Sequence, residues 1–187
     1  MIVPLLLNSW KVYKMIKRLS IIFVLLANVS VAQTPDFSIV VETHIVPSYQ
    51  RLADAATGLA NEAELRCSPE NQAFLDHYHD AFDAWVLTSH LRFGPSEKND
   101  RAFALAFWPD PRSKTPKALN ALIVSGDPVI DNLESFQTVS IAARGFYALE
   151  YLLFDPMFSN IGDTEYRCNL IKAITQDIAA NTKAILQ

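Results

Sequence analysis

The sequence predicts an all-α protein whose helices pack as an antiparallel bundle. Apolar residues recur every three or four positions along several long segments, as they do on the buried face of a helix. Only 5 of the 187 residues are Gly, and Ala and Leu are abundant. No segment shows the strict alternation that marks a half-buried strand. Long helices joined by short connections favour an antiparallel arrangement.

The first 32 residues are predicted to be a signal peptide rather than part of the fold. Basic residues precede an apolar run from Leu19 to Val31, and Ser30-Val31-Ala32 supplies the small residues that signal peptidase accepts. The run is about half of the ~20 residues that a membrane helix needs. Met15 is an alternative start, and an uncleaved anchor is the alternative interpretation. The sequence therefore predicts a periplasmic protein with no integral membrane span after signal cleavage.

Residues 33–187 form the predicted mature domain. They carry 12 Lys and Arg against 20 Asp and Glu, a net charge of −8. Nucleic-acid binding rests on a basic surface, so no nucleic-acid partner is expected. About 155 residues suffice for one compact domain with its own core.

The two cysteines, Cys67 and Cys168, are predicted to form a disulfide, as an isolated pair most simply does in an oxidising compartment. Two buried free thiols are the alternative. A metal site is disfavoured because neither Cys has a second Cys or a His at ligand spacing.

The first two helices follow from their apolar stripes. The first is predicted over residues 37–61, with a kink or a late start at Pro47. The second is predicted to open at Ser68-Pro69-Glu70, a cap residue followed by Pro, and to extend to about Arg92.

A proline-rich irregular excursion is expected between the second and fourth long helices. It begins at Gly94-Pro95 and contains only short helical patterns, at 99–107 and 116–124. A long irregular segment within a compact domain is often functional, and its aromatic residues argue against disorder. Trp108, Asp110 and Arg112 are therefore candidate binding residues, with turn formation and edge packing as the alternative.

The fourth helix is predicted from a capping box at Asp131-x-x-Glu134 to Phe154, and the last helix from a cap at Asp163 or Thr164. Residues 139–154 are apolar nearly all round, which is typical of a buried helix. We expect Glu150 to be buried there and to contact a cation, because an unpaired buried carboxylate is costly. The candidate cations are Arg92, Arg112 and Arg144.

Two further features of this helix point to a binding site. Tyr147 and Glu150 share a face, because they are three residues apart. Gly145 does not stabilise a helix, so we expect it to let another backbone or a ligand come close. An internal ion pair of Glu150 is the alternative explanation.

The second helix also carries acidic and histidine side chains on one face. Such a line can bind a divalent metal, but a solvated helix face explains it better. Its members are Asp76, His79, Asp80, Asp83 and His90.

The segment Gly145-Phe146-Tyr147-Ala148-Leu149-Glu150 resembles the Gly-x-His-x-x-Glu signature of the imelysin family of exported bacterial proteins. The similarity extends over residues 37–187. Further segments that resemble the imelysin-like branch are Arg92-Phe93-Gly94-Pro95, Phe107-Trp108-Pro109-Asp110 and Tyr166-Arg167-Cys168.

The resemblance implies an all-α fold of two helical bundles, an association with iron-uptake components, and an assignment as a metallopeptidase. We expect this chain to correspond to the first bundle only. Its signature His is Tyr147, and imidazole is the usual zinc ligand, so zinc-dependent proteolysis is disfavoured. A phenolate with a carboxylate suits a hard cation such as ferric iron. We therefore expect non-catalytic binding of a ligand or a metal, with a metallopeptidase or a degenerate interaction module as alternatives.

Overall fold

The computed structural model describes residues 35–187, and every helix below lies in one compact unit, Ser38–Gln187. The predicted signal peptide at 1–32 and the alternative start at Met15 lie outside the described residues. Within the described part of the chain there is no strand. The all-α prediction is confirmed.

Helix α1 spans Val46–Leu65 and is preceded by a single α turn and a π turn, Val41–Ile45. Pro47 lies in the first turn of α1, directly after the π turn. The chain is already helical from Ser38, so the helix changes type, rather than starting, where the sequence predicts a kink or a late start. The buried stripe includes Leu52 and Leu59 and continues to Ala63, beyond the predicted end of the helix.

Helix α2 spans Gln72–Thr88, so the predicted start at Ser68 and end near Arg92 are wrong. Asn71 is the cap, since its side chain accepts the N–H of Phe74 at 3.1 Å. The hydroxyl of Ser68 instead accepts the N–H of Glu70 at 3.2 Å, which builds the turn before the helix.

The excursion is ordered and carries two helices, α3 (Arg101–Leu105) and α4 (Lys114–Ser125), close to the two short helical patterns of the sequence. The peptide bond between Trp108 and Pro109 is cis.

The prediction of one long helix from Asp131 to Phe154 is wrong. Two shorter helices take its place, α5 (Leu133–Phe136) and α6 (Gly145–Phe154), separated by a 3-10 turn at Ile141–Ala143. The predicted capping box does not form, because Asn132 caps α5 by accepting the N–H of Ser135. Ala142 and Ala143, which precede Gly145, are buried in the 3-10 turn rather than in a helix.

The C-terminal part holds α7 (Pro156–Ser159) and α8 (Thr164–Ile185). Asp163 caps α8 by accepting the N–H of Tyr166 at 2.8 Å, as predicted.

Helices α1, α2, α6 and α8 form the bundle in this part of the chain. The end of α2 lies beside the start of α1, where the Thr88 hydroxyl donates to the Ser48 carbonyl at 3.5 Å. Helices α1 and α2 therefore run antiparallel. The large side chains at the centre are Leu52, Leu59, Phe74, Phe146, Leu149, Leu170, Ile174 and Ile178.

Helix α6 packs between α2 and α8 and completes the four-helix bundle. Its Phe146 ring lies 5.8 Å from that of Phe82, and its Phe154 ring lies 5.7 Å from that of Tyr78, both on α2. The excursion packs outside the four-helix bundle, with α4 against α6 and α3 against both α6 and α8.

The predicted disulfide between Cys67 and Cys168 is present, with Cα atoms 5.3 Å apart. It joins the segment just after α1 to the N-terminal part of α8. A disulfide of this kind indicates an oxidising compartment. Among residues 35–187, none of the helices combines the length and apolar character needed to cross a bilayer.

Candidate functional site

An open cleft of about 520 Å³ lies between α6 and the loop that precedes α4. We refer to it as the aromatic cleft. Its lining contains five aromatic rings and three carboxylates; the complete lining is Phe107, Trp108, Asp110, Thr115, Tyr147, Glu150, Tyr151, Phe154, Asp155 and Pro156.

One face of α6 supplies the floor of the aromatic cleft. Tyr147, Glu150, Tyr151 and Phe154 occupy positions i, i+3, i+4 and i+7, so they share one side of the helix. The opposite side, which includes Leu149, is buried in the bundle.

The wall of the aromatic cleft is the loop between α3 and α4. Trp108 is 67% exposed, and its ring centroid lies 6.1 Å from that of Tyr147. Both Asp110 oxygens accept backbone N–H groups at 2.8 Å, from Lys114 and Thr115 at the start of α4. These hydrogen bonds favour the carboxylate and hold the pKa of Asp110 below its ordinary value.

Tyr147 lies at the centre of an aromatic cluster. Besides Trp108, its ring has centroid distances of 5.8 Å to Trp85 and 6.2 Å to Phe82. Burial and, secondarily, the negative charge of Glu150 raise the pKa of its phenol. At neutral pH this side chain is therefore a neutral ring with a hydroxyl group.

The prediction that Glu150 is buried and paired with a cation is wrong. Its side chain is exposed at the aromatic cleft, and it makes no hydrogen bond or ion pair with any residue in 35–187. The apolar composition of this segment predicts a helix buried all round, whereas α6 buries only one side. Glu150 is thus a free carboxylate in contact with solvent.

Arg144, one of the cations expected beside Glu150, instead pairs with Asp177 of α8. Its Nε and one terminal nitrogen donate to the two carboxylate oxygens, both at 2.8 Å. The Asp177 side chain is fully buried and also accepts from Gln137 and Asn181. This network anchors the start of α6 and does not line the aromatic cleft.

The other two candidate arginines also bind elsewhere. Arg92 donates to Glu97 at 3.0 Å and stacks on Phe103, and it lines a second cavity of about 140 Å³ beneath Trp108 and Tyr147. Arg112 is exposed and lines a separate cavity that shares Asp110 with the aromatic cleft.

Gly145 adopts φ +77° at the start of α6 and lies against the backbone of α3. A Cβ atom there would stand 2.3 Å from the carbonyl oxygens of Ala104 and Leu105. The residue thus permits a close approach between two backbone segments.

The zinc centre implied by the peptidase assignment does not fit the residues present. Within residues 35–187, no three His, Cys, Asp or Glu side chains are grouped to hold a metal ion. Two of the three cleft carboxylates accept backbone N–H groups: Asp110 from α4, and Asp155 from Met157. Glu150 accepts none from residues 35–187. The polar side chains of α2 at Asp76, His79, Asp80 and Asp83 are solvent-exposed, as is His90 beyond the end of the helix.

The aromatic cleft therefore brings together Trp108, Asp110, Tyr147 and Glu150, but leaves out the three arginines. Sequence reasoning missed the other six lining residues: Phe107, Thr115, Tyr151, Phe154, Asp155 and Pro156. Two of these carried a signal, because Tyr151 and Phe154 continue the i+4 and i+7 positions from Tyr147. No sequence pattern indicates that Thr115 and Asp155 line the cleft, because only tertiary packing places them there.

Comparisons with known proteins agree with this architecture. The imelysin (peptidase M75) family model matches residues 45–187. An imelysin-like protein from Psychrobacter arcticum 273-4 has a crystal structure similar to this one, with a TM-score of 0.70 at 20% identity. The match covers 80% of this chain and 47% of that chain, so this chain spans about half of its length. No curated protein shows a significant match. This chain belongs to the imelysin family.

Proposed function

We propose that this protein is an exported, non-catalytic binding protein of the periplasm, and that its ligand enters the aromatic cleft. The observation that carries the proposal is the lining of that cleft, in which five aromatic rings and a free carboxylate surround about 520 Å³. Ligand sites are typically concave, largely apolar and supplied with a few polar groups, at volumes of roughly 300–1,000 Å³.

The rigid position of the lining also supports binding. Tyr147 and Glu150 lie on a helix of the bundle, and Asp110 fixes the loop by its hydrogen bonds to α4. Side chains held in this way lose little freedom when a ligand arrives. The disulfide supports the exported location, since such bonds persist in oxidising compartments.

An iron-uptake setting, with iron-uptake components as partners, rests on the family resemblance. Tyr147 and Glu150 are a phenol and a carboxylate on one face, which suits ferric iron as cargo. The raised pKa of Tyr147 means that the metal would have to displace a proton. Metal analysis of protein purified from the periplasm, with and without added iron, tests this role. Iron that is retained by the natural protein and lost in Tyr147→Phe would support it, and equal metal content in both would oppose it.

Native mass spectrometry tests the cleft as a ligand site. The purified protein is mixed with the small-molecule fraction of a periplasmic extract, and bound masses are compared between variants. We expect an adduct on the natural protein and on Glu134→Gln, a matched change of an exposed carboxylate on α5 away from the cleft. Loss of the adduct in Trp108→Leu supports the proposal. An adduct equally present in Trp108→Leu, or none on any protein, contradicts it.

A further inference from the structure

We propose that the ligand of the aromatic cleft is an organic cation of the ammonium class, such as a quaternary amine or a polyamine. This inference rests on the proposed function and names the chemistry of its ligand. It follows from the combination of electron-rich rings with carboxylates on one surface.

The rings provide the faces that an ammonium group prefers. Trp108 and Tyr147 have centroids 6.1 Å apart with planes tilted by 55°, so they form two sides of a corner. Tyr151, Phe107 and Phe154 extend the same lining. Ammonium groups are attracted to such faces by the ring quadrupole, most strongly for Trp, and aromatic cages are a recurring site for quaternary amines.

The carboxylates make the surface negative. Asp110 stays ionised because backbone N–H groups lower its pKa, and its charge is fixed at one end of the cleft. Glu150 has no cationic partner among residues 35–187, so its charge is available to a ligand. Asp155 is the third acidic residue of the lining.

Basic side chains do not line the aromatic cleft within the described part of the chain. Arg144 is neutralised by Asp177, and Arg92 by Glu97. Arg112 and Lys114 line the adjoining smaller cavity. Charge complementarity therefore favours a cation over an anion or a neutral ligand.

Tyr147 lines the aromatic cleft, and its side chain suits a cationic ligand better than an imidazole would. A His at this position can become positively charged and would repel an ammonium group. The phenol ring stays neutral and presents a π face. The zinc-type site that a His would serve lacks its other ligands here.

Isothermal titration calorimetry with a matched pair of probes tests the inference. Choline and 3,3-dimethylbutan-1-ol have nearly the same shape and differ in the charge of one atom. We expect choline to bind roughly tenfold more tightly than its neutral counterpart, from cation–π and carboxylate attraction. Spermidine is the second cationic probe, for ligands with primary and secondary amines.

Three variants locate the effect. Glu150→Gln and Tyr147→His should each weaken choline or spermidine binding several-fold, the latter more strongly at acidic pH. Glu134→Gln, which removes one charge from an exposed site outside the cleft, should leave it unchanged.

Equal affinity for choline and the neutral alcohol would overturn the cationic ligand while leaving the cleft as a binding site. The same holds if neither choline nor spermidine binds at millimolar concentration while the mass-spectrometric adduct persists. Binding that is unchanged in both cleft variants would place the cation site elsewhere and would also overturn the inference.

Discussion

Two adjacent residues, Arg144 and Gly145, determine where helix α6 begins. Arg144 is extended, with its guanidinium bound to the buried Asp177, and Gly145 then turns the chain at φ +77° against the carbonyls of α3. Together they hold the signature helix at a fixed position between the bundle and the excursion.

Gly145→Ala should destabilise the protein strongly. The new Cβ would meet two backbone oxygens at 2.3 Å and would also force an L residue into the left-handed region. Overpacking and the positive φ together should lower the free energy of unfolding by about 3 kcal/mol, measured by urea denaturation. Gly126→Ala is the control, since Gly126 has φ +60° but open space around it, and should cost only about 1 kcal/mol. Equal losses in the two variants would contradict the close approach.

Asp177→Ala should leave the Arg144 charge without its buried partner. Breaking a buried ion pair from one side costs about 3 to 5 kcal/mol, which thermal or urea unfolding would detect. Glu97→Ala breaks the exposed pair with Arg92 and should cost about 1 kcal/mol or less. A small effect at Asp177 would show that the network does not hold α6.

The residue scale also shows what the sequence could not reveal. The sequence predicts Arg144 as one of three possible cations for Glu150, but its partner is Asp177, 33 positions away on α8. The carboxylates of Glu150 and Asp177 look alike in a linear pattern. Only packing decides which one is buried, so the pairing with Glu150 was the wrong choice.

At the scale of the helices, the ends are determined by individual caps and by one covalent bond. Asp110 fixes the start of α4 and, through it, the wall of the aromatic cleft. The disulfide fixes the end of α1 against the start of α8.

Asp110→Ala should lower stability at neutral pH, with an effect that depends on pH. The folded pKa of Asp110 is depressed, so its stabilising contribution is present above the unfolded pKa and is lost as pH falls through the folded pKa. The stability difference between natural and variant protein should therefore shrink on acidification, as followed by urea midpoints at several pH values. A difference that stays constant down to the acid limit would contradict the capping role.

Replacement of both Cys67 and Cys168 by Ser should destabilise the protein by about 4 to 5 kcal/mol in the chain-entropy account, because the two residues are separated by 101 positions. Denaturation of the double variant and of the natural protein under non-reducing conditions gives the comparison. A double variant as stable as the natural protein would show that the bond is dispensable for folding.

Helix positions were predictable where an apolar stripe began at a proline, as at α1, or at a side-chain cap, as at α8. The prediction failed between Asp131 and Phe154, because the apolar run there combines a buried 3-10 turn with a helix. Hydrophobic periodicity cannot distinguish the 3-10 turn from the helix, since both bury most of their side chains. The backbone contact with Ala104 and Leu105 that forces the break is a tertiary feature.

At the scale of the whole molecule, the four-helix bundle of α1, α2, α6 and α8 leaves one face of α6 uncovered, and the excursion folds beside it to make the aromatic cleft. The apolar stripes of the sequence predict the bundle. They do not predict that Trp108 contacts Tyr147, because this contact depends on how the excursion packs against α6. The cleft as a whole was therefore not predictable, although four of its residues were identified as candidates.

The protein is expected to have no peptidase activity of its own. A zinc peptidase typically needs three protein ligands, an open coordination position and a general base, which the described residues do not bring together. Purified protein should not cleave unstructured peptides with added zinc. Cleavage by the natural protein that a chelator abolishes would refute this, whereas cleavage gained only by Tyr147→His would indicate a lapsed metal site.

Two-dimensional NMR of the labelled protein with a fragment library of mixed charge tests most directly whether the aromatic cleft is a ligand site. The indole N–H of Trp108 and the backbone amides of Tyr147 and Glu150 are the reporters, assigned with Trp108→Phe. We expect binding fragments to perturb these signals most strongly. In Trp108→Leu, the perturbations of the Tyr147 and Glu150 amides should disappear. Perturbations that are strongest elsewhere, for example in the groove beside the Cys67–Cys168 bond, or the absence of any binding fragment, would contradict the account.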